Sequence, residues 1–560
     1  MKRRALISAL LSAVLWAVPQ ASSARSIKAT VIPVQFPDLR FSVSEAAMDS
    51  VVNAAAAYWQ EEFCGKASVS FSRVAPVTLA RAYKYYGTNS SDRNDALAYV
   101  AVKEACQAVG TALDFSKAGE LIFVVPGKSE ADAGDPDLFW PQYASLEDRK
   151  VFFYMNGRRI TGYAIVNELG ADGGIAGIGT LCHEFGHLLG LPDFYDTDGE
   201  GSGGTAKCLW GSIALMDKGN ENDGGHTPPH LSAIERWCLD AGEAIVPDTS
   251  GTYTLEPSHR QGRYLQIAGS SSNETYLLEN RRAEGRDAFI GGQGLLMYRI
   301  DKSSRPAGYS TYYQEIITAA QRWRYNHVNC NPEHQCGAIV PAKEDAASVA
   351  EVFYTTDGPS APLNISGISF AADGTASFTV SRPLILGSVR VFQSEAILNW
   401  KTDPAAGRLD SCSVAISAEG EDIRSNFRIS SSGSSHGAML SPLKPKTAYH
   451  YTIKAYYDGG NAYSLEGDFT TLAYRSGSFP FIYLSRDGRD GAGRFISGAH
   501  IPLTVFNAPD AVRTEWFFDG IPVVPDSEGL FIITQKGILR AVVYREDGSV
   551  DILEKEVQTR

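Results

Sequence analysis

Cysteine is scarce in this chain, eight among 560 residues, too few for a disulfide framework to stand in for hydrophobic cores. Clusters of Lys and Arg are missing too. With a net charge of −13, the chain lacks the basic surface that a phosphate backbone or an anionic bilayer requires, and nucleic acid is excluded as its main partner. After the N-terminal leader no apolar run is long enough to cross a bilayer, so no integral membrane segment is expected in the mature chain. Disordered or fibrous texture is absent as well: 44% apolar and 21% charged residues are the composition of ordinary globular domains. Several domains are expected, since one core stops growing at roughly 250–300 residues.

Residues 1–24 carry Lys2, Arg3 and Arg4, an apolar run from Leu6 to Val18, and small residues ending at Ser22-Ser23-Ala24. This is the pattern of a secretory signal peptide, its core being too short for a membrane anchor. A secreted, extracellular or cell-surface location follows as an expectation, and with it an environment that permits disulfides. Cys330 and Cys336 flank a polar loop that a local bridge would staple. Cys182 is read as buried, or bridged to Cys208 or Cys238.

The most informative stretch is His183-Glu184-Phe185-Gly186-His187, continued by Gly190 and Asp193. Histidines four apart on a helix project from one face, so both rings can reach a single Zn²⁺. Glu184 then stands beside the metal rather than on it, where a carboxylate takes a proton from water. Gly190 suits a left-handed helix end and Pro192 blocks resumption, so the chain returns with Asp193 as third ligand. Glu221 and Glu235 are rival third ligands, as in an arrangement that completes the site from a later helix. Trp210-Gly211-Ser212-Ile213-Ala214-Leu215-Met216-Asp217 offers a methionine turn at Met216. Tyr195, His226 and His230 are candidate donors to a developing oxyanion. Asp196, Asp198 and Glu200 alternate before a glycine turn, a spacing that can wrap oxygens around a structural Ca²⁺; a solvated acidic loop is the alternative.

Five spans are predicted: the signal peptide 1–24, an α/β catalytic domain 25–242, a β-rich continuation 243–383, and two β-sandwiches at 384–472 and 473–560. Lys28 to Asp38 and Leu121 to Val125 read as buried strands, Ala46 to Phe63 and Ile175 to Leu189 as helices. From about Ile245 short alternating strands replace the helical period. Glu279-Asn280-Arg281-Arg282 reads as a solvated or locally paired strand edge. Trp400 on its strand and Tyr449 after Leu443-Lys444-Pro445 resemble the tryptophan strand and tyrosine corner of a fibronectin type III sandwich, and the last span resembles an immunoglobulin-like sandwich.

From His183 to Met216, and again at Pro228-Pro229-His230-Leu231-Ser232-Ala233, the chain resembles the immune inhibitor A-like metallopeptidases, also called thuringilysins. Leu191-Pro192-Asp193-Phe194-Tyr195-Asp196, Glu279 to Arg282 and Gly294-Leu295-Leu296 are similar to that family's flanking words, so the resemblance spans roughly residues 27–383. It implies a metzincin-like fold and a secreted endopeptidase acting on protein or glycoprotein substrates. In that reading His183, His187 and Asp193 bind one zinc and Glu184 is the base. Family members commonly carry an inhibitory pro-segment; here the first core strand follows the leader closely, and latency of that kind is not expected. The contrasting reading is a secreted adhesion or glycoprotein-binding protein that works through its sandwiches on a peptidase scaffold. An intact Glu184 argues against it, since a scaffold needs no base.

Overall fold

The computed structural model describes residues 25–560 apart from short internal stretches, the longest being 200–209, 303–322, 341–351, 357–363 and 473–479. The predicted leader, Glu200 and Cys208 lie outside the described residues.

Strands Ala67–Arg73, Arg25–Gln35, Glu120–Val125, Gly162–Asn167 and Gln142–Ser145 lie side by side in that order, with Val77–Thr78 added beside the end of Arg25–Gln35. All pair in parallel except Gln142–Ser145, which runs antiparallel along the edge. Parallel strands need cover on both faces, and their side chains supply it alternately. Ile27, Ala29, Val31, Ile122 and Val124 pack on one side with helices Glu45–Glu62 and Ile178–Leu188. Ile32, Val34, Leu121, Phe123 and Val125 pack on the other with helix Ala98–Val109. The first helix is capped by Ser44, whose hydroxyl accepts from Ala47 N at 3.2 Å.

The motif helix starts at Ile178, not at Ile175 as its apolar residues suggested. Leu169 bridges to Ile175 in a small turn, which holds the preceding residues out of the helix. Gly179 then lets the helix press against the following segment, since a Cβ there would lie 1.9 Å from Asn220 O.

Beyond Gly242 a five-stranded sheet runs in the order Gly337–Val340, Gly294–Asp301, Glu274–Arg281, Arg263–Ala268, Glu243–Ile245. Its face bearing Leu277, Leu296, Tyr298 and Ile300 joins the core of the α/β region without a break. Its other face packs on a three-stranded sheet through Leu265, Ile267, Leu278, Met297 and Phe378. The expectation for Glu279, Asn280 and Arg281 is therefore corrected: their strand is central and all three are fully buried. Arg281 bonds Asp287 at 2.6 and 2.7 Å and His230 O at 3.0 Å, and Glu279 accepts from Tyr298 OH at 2.5 Å. Such charges are tolerated inside only because each has a partner.

Two β-sandwiches complete the chain. In the first, two four-stranded sheets enclose Leu398, Trp400, Tyr451 and Ile453. Tyr449 forms the anticipated corner, its hydroxyl accepting from Lys444 N at 2.8 Å. The second closes over Ile482, Phe495, Ile501, Ile533 and Leu539. Phe392, Phe517, Val542 and Val550 join the two sandwiches, flanked by Arg540–Glu395 at 2.9 Å and Arg390–Glu515 at 2.7 Å. Among the described residues, no helix is long and apolar enough to cross a membrane.

Candidate metal centre and catalytic cleft

The motif helix is amphipathic in an unusual sense: its apolar side carries Leu181, Cys182 and Phe185 into the core, while His183, Glu184 and His187 border a cleft of about 1100 Å³. His183 Nε2 lies 3.1 Å and His187 Nε2 3.3 Å from the same oxygen, Asp193 Oδ1. Gly190, at φ +100°, makes the reversal that brings Asp193 back, a conformation costly for any residue with a Cβ. Each ring's other nitrogen is held by main chain, His183 Nδ1 on Leu215 O at 2.9 Å and His187 Nδ1 on Leu191 O at 2.8 Å. A neutral ring that donates from Nδ1 presents a bare electron pair at Nε2.

The close approach couples the charges of the three groups. Burial opposes a charge on His183, yet the carboxylate of Asp193 lifts its pKa to about 9. Burial would raise Asp193, but His187 and His183 hold it well below the ordinary carboxylate range. Burial raises Glu184, countered by the two histidines and by the Tyr143 backbone N–H that bonds its carboxylate. Tyr143, on the edge strand, also stacks its ring on His187 with centroids 5.8 Å apart.

Met216 underlies the pair. It is fully buried, and its Sδ would stand only 2.7 Å from a Cβ on Gly186, so the glycine between the histidines makes room for the methionine. Phe194 N donates to Met216 O at 2.9 Å, tying the residue after Asp193 to the same turn.

Residues 157–236, which hold His183, Glu184, His187, Asp193 and Met216, match the family model of the immune inhibitor A peptidase M6, catalytic domain. That stretch is similar to the catalytic domain of peptidase M6. No curated protein gave a match. Solved structures similar to the chain include the N-terminal Ig1-2 module of the Drosophila receptor protein tyrosine phosphatase DLAR, at 13% identity over 32% of this chain and 100% of that one, with a TM-score of 0.22. Murine CEACAM1b is 12% identical over 32% of this chain and 98% of that one, TM-score 0.12. The titin domains Z1Z2 in complex with telethonin are 14% identical over 32% and 94%, TM-score 0.12.

Within and around the matched stretch the other predicted residues separate. Tyr195 lines the cleft, and its pKa is raised by burial and then by Asp193, which its hydroxyl bonds. His226 is exposed and outside the cleft lining. His230 is buried elsewhere, its Nδ1 2.7 Å from Glu62 Oε1 and its backbone on Asp287. Neither rival ligand joins the triad: Glu221 is an exposed part of the cleft rim, and Glu235 is buried on Ser232 and Met216. Burial pushes the Glu235 carboxyl up to about 7 against those bonds.

Of the three predicted calcium ligands Glu200 lies outside the described residues, and the two described aspartates form no oxygen cradle by themselves. Asp196 Oδ1 accepts from Asp198 N and Gly199 N at 3.0 and 3.1 Å, and the third group near the two aspartates is the thiol of Cys330, a soft donor unsuited to a hard cation. Cys182 and Cys238 are free thiols, so no bridge joins them. Sequence reasoning overlooked Tyr143 and the Glu235–Met216 contact. The first has no local signal, because only sheet pairing brings residue 143 to the motif; the second was detectable in part, since Ser232-x-x-Glu235 is a capping-box spacing.

Proposed function

We propose that this chain is a secreted, zinc-dependent endopeptidase of metzincin-like build that hydrolyses extracellular proteins. His183, His187 and Asp193 hold one Zn²⁺, and Glu184 is the general base. One observation carries the reading: two ring nitrogens each close to within 3.3 Å of one carboxylate oxygen in a buried space, while the rings' other nitrogens are already engaged. A proton or a cation must lie between such groups, and two imidazoles with one carboxylate are a donor set that suits zinc and leaves a position open to the cleft. Asp193 is the third ligand because the rival glutamates stand apart from the rings.

When bound, Zn²⁺ supplies Lewis acidity, polarising the scissile carbonyl and making water acidic near neutral pH. Glu184 does the proton work: it accepts from the attacking water and delivers to the leaving amine, so no acyl-enzyme forms. Tyr143 orients it, through the N–H on the carboxylate. Tyr195 is the oxyanion donor favoured by position, being the one of the three candidates in the cleft lining. Export rests on the basic, apolar, small-residue order of the first 24 residues.

Digestion of casein by the purified protein, chelated and zinc-restored, beside a Glu184→Ala variant, tests the catalytic part. We expect cleavage to vanish on chelation, to return with zinc, and to fall by roughly 10²–10⁴ in the variant, the usual contribution of a general base. Undiminished cleavage by the variant would contradict the assignment. N-terminal sequencing of protein from the medium of expressing cells checks export: an N-terminus near Arg25 supports it, and retention in cells with Met1 intact opposes it.

A further inference from the structure

Glu235 divides its two oxygens in a way that helix capping alone does not require. Oε2 serves the capping box of helix Ala233–Leu239, accepting from Ser232 N and Ser232 Oγ, each at 2.7 Å. Oε1 instead accepts from Met216 N at 2.8 Å, nineteen positions away and in the turn beneath the histidines. The N–H it binds and the carbonyl that binds His183 Nδ1 are two ends of one group, the Leu215–Met216 peptide. A peptide is planar and resonance-coupled, so drawing on its N–H enriches its oxygen. An unbroken line therefore runs from the Glu235 carboxyl through one peptide to the Nδ1–H of His183.

Carboxylates commonly bond the outer nitrogen of a metal-binding histidine, fixing its tautomer and raising its basicity. None reaches His183 Nδ1 directly, where a main-chain oxygen stands. We propose that Glu235 is the positioning residue of the metal centre, acting on His183 through the Leu215–Met216 peptide. It holds the carbonyl at the ring's donor hydrogen and strengthens it as an acceptor, so that Nε2 keeps its electron pair directed at the metal position. The inference rests on the proposed zinc site and adds a residue to it. Full burial of Glu235 suits the role, for water cannot compete for the Met216 N–H.

Zinc affinity, measured by competition with a chromophoric chelator, separates this role from capping. Glu235→Gln leaves the shape but offers an amide with one acceptor, so a donor must face either Met216 N–H or Ser232 N–H. Zinc Kd should rise roughly 10- to 100-fold, the usual effect of losing an outer-shell partner. Ser232→Ala, which weakens the cap and spares Oε1, should lower the Tm and leave the zinc Kd at the wild-type value. Equal zinc Kd in Glu235→Gln and wild type overturns the proposal, as does an equally large rise in Ser232→Ala. Should Glu235→Gln fail to fold, Glu235→Asp carries the test, since its chain is shorter by one methylene and cannot span both partners; zinc Kd unchanged in that folded variant overturns the proposal too. Wild-type protein that binds no zinc overturns the metal reading itself, whereas wild-type zinc binding beside an unmoved Glu235→Gln defeats the Glu235 role alone.

Discussion

Removing the carboxylate of Glu62 should destabilise the catalytic region by an amount that depends on pH. The side chain is fully buried at the end of the first helix, where Oε2 takes Arg236 Nη2 at 2.5 Å and Leu231 N at 3.0 Å, and Oε1 takes His230 Nδ1 at 2.7 Å. Burial alone would raise its pKa, but Arg236 and then His230 and Leu231 overcome it and hold the carboxyl at about 2, against an ordinary 4.5. The folded value lies below the unfolded one, so this stabilisation is full above about pH 4.5 and is lost as pH falls towards 2. At 1.36 kcal/mol per unit the gap corresponds to about 3 kcal/mol at pH 7, matching the roughly 3–5 kcal/mol that breaking a buried ion pair costs. Glu62→Gln should therefore unfold in urea with a stability deficit of that order at pH 7, read by tryptophan fluorescence. At pH 3.5, where the unfolded carboxyl is mostly protonated and the folded one is not, the deficit should shrink by roughly 1.4 kcal/mol. A deficit that is negligible at pH 7, or the same at both pH values, would refute the reasoning.

Other outcomes follow from the same geometry. Asp193→Asn should leave the fold intact and cut zinc content in a purified sample to a small fraction of wild type, whereas Glu221→Gln should retain it; emission spectrometry of dialysed protein decides. Gly186→Ala places a methyl 2.7 Å from Met216 Sδ and 3.4 Å from Leu191 Cδ1. The overpacking should cost about 1–3 kcal/mol in thermal unfolding and weaken zinc binding, because Met216 cannot move without its peptides. Tyr449→Phe removes the acceptor of Lys444 N in the first sandwich and should destabilise that module by about 0.5–1.5 kcal/mol, with caseinolysis unchanged.

The site was legible in sequence where chemistry is local. His183, Glu184, His187, Gly190 and Asp193 fall within one helix and its return, so spacing alone brings them together. Uninterrupted apolar, β-branched runs in Val31 to Val34 and Leu121 to Val125, buried on both faces, made the α/β region readable for the same reason. Interactions over long separations were not legible: Tyr143 meets His187 through sheet pairing, and Glu62 meets His230 across 168 positions. His230 misled for that cause, since nearness to the motif in sequence became distance from the cleft in space. Glu279 to Arg281 misled differently, because three consecutive polar residues in a strand resemble an edge until the buried Asp287 and Tyr298 that partner them are known.

Anomalous diffraction at the zinc absorption edge from crystals of the wild-type protein tests the central claim most directly. One strong peak is expected, bonded to His183 Nε2, His187 Nε2 and the Asp193 carboxylate and open on its fourth side to the cleft. A zinc-replete crystal with no peak there, or with its peak on other side chains, would contradict it.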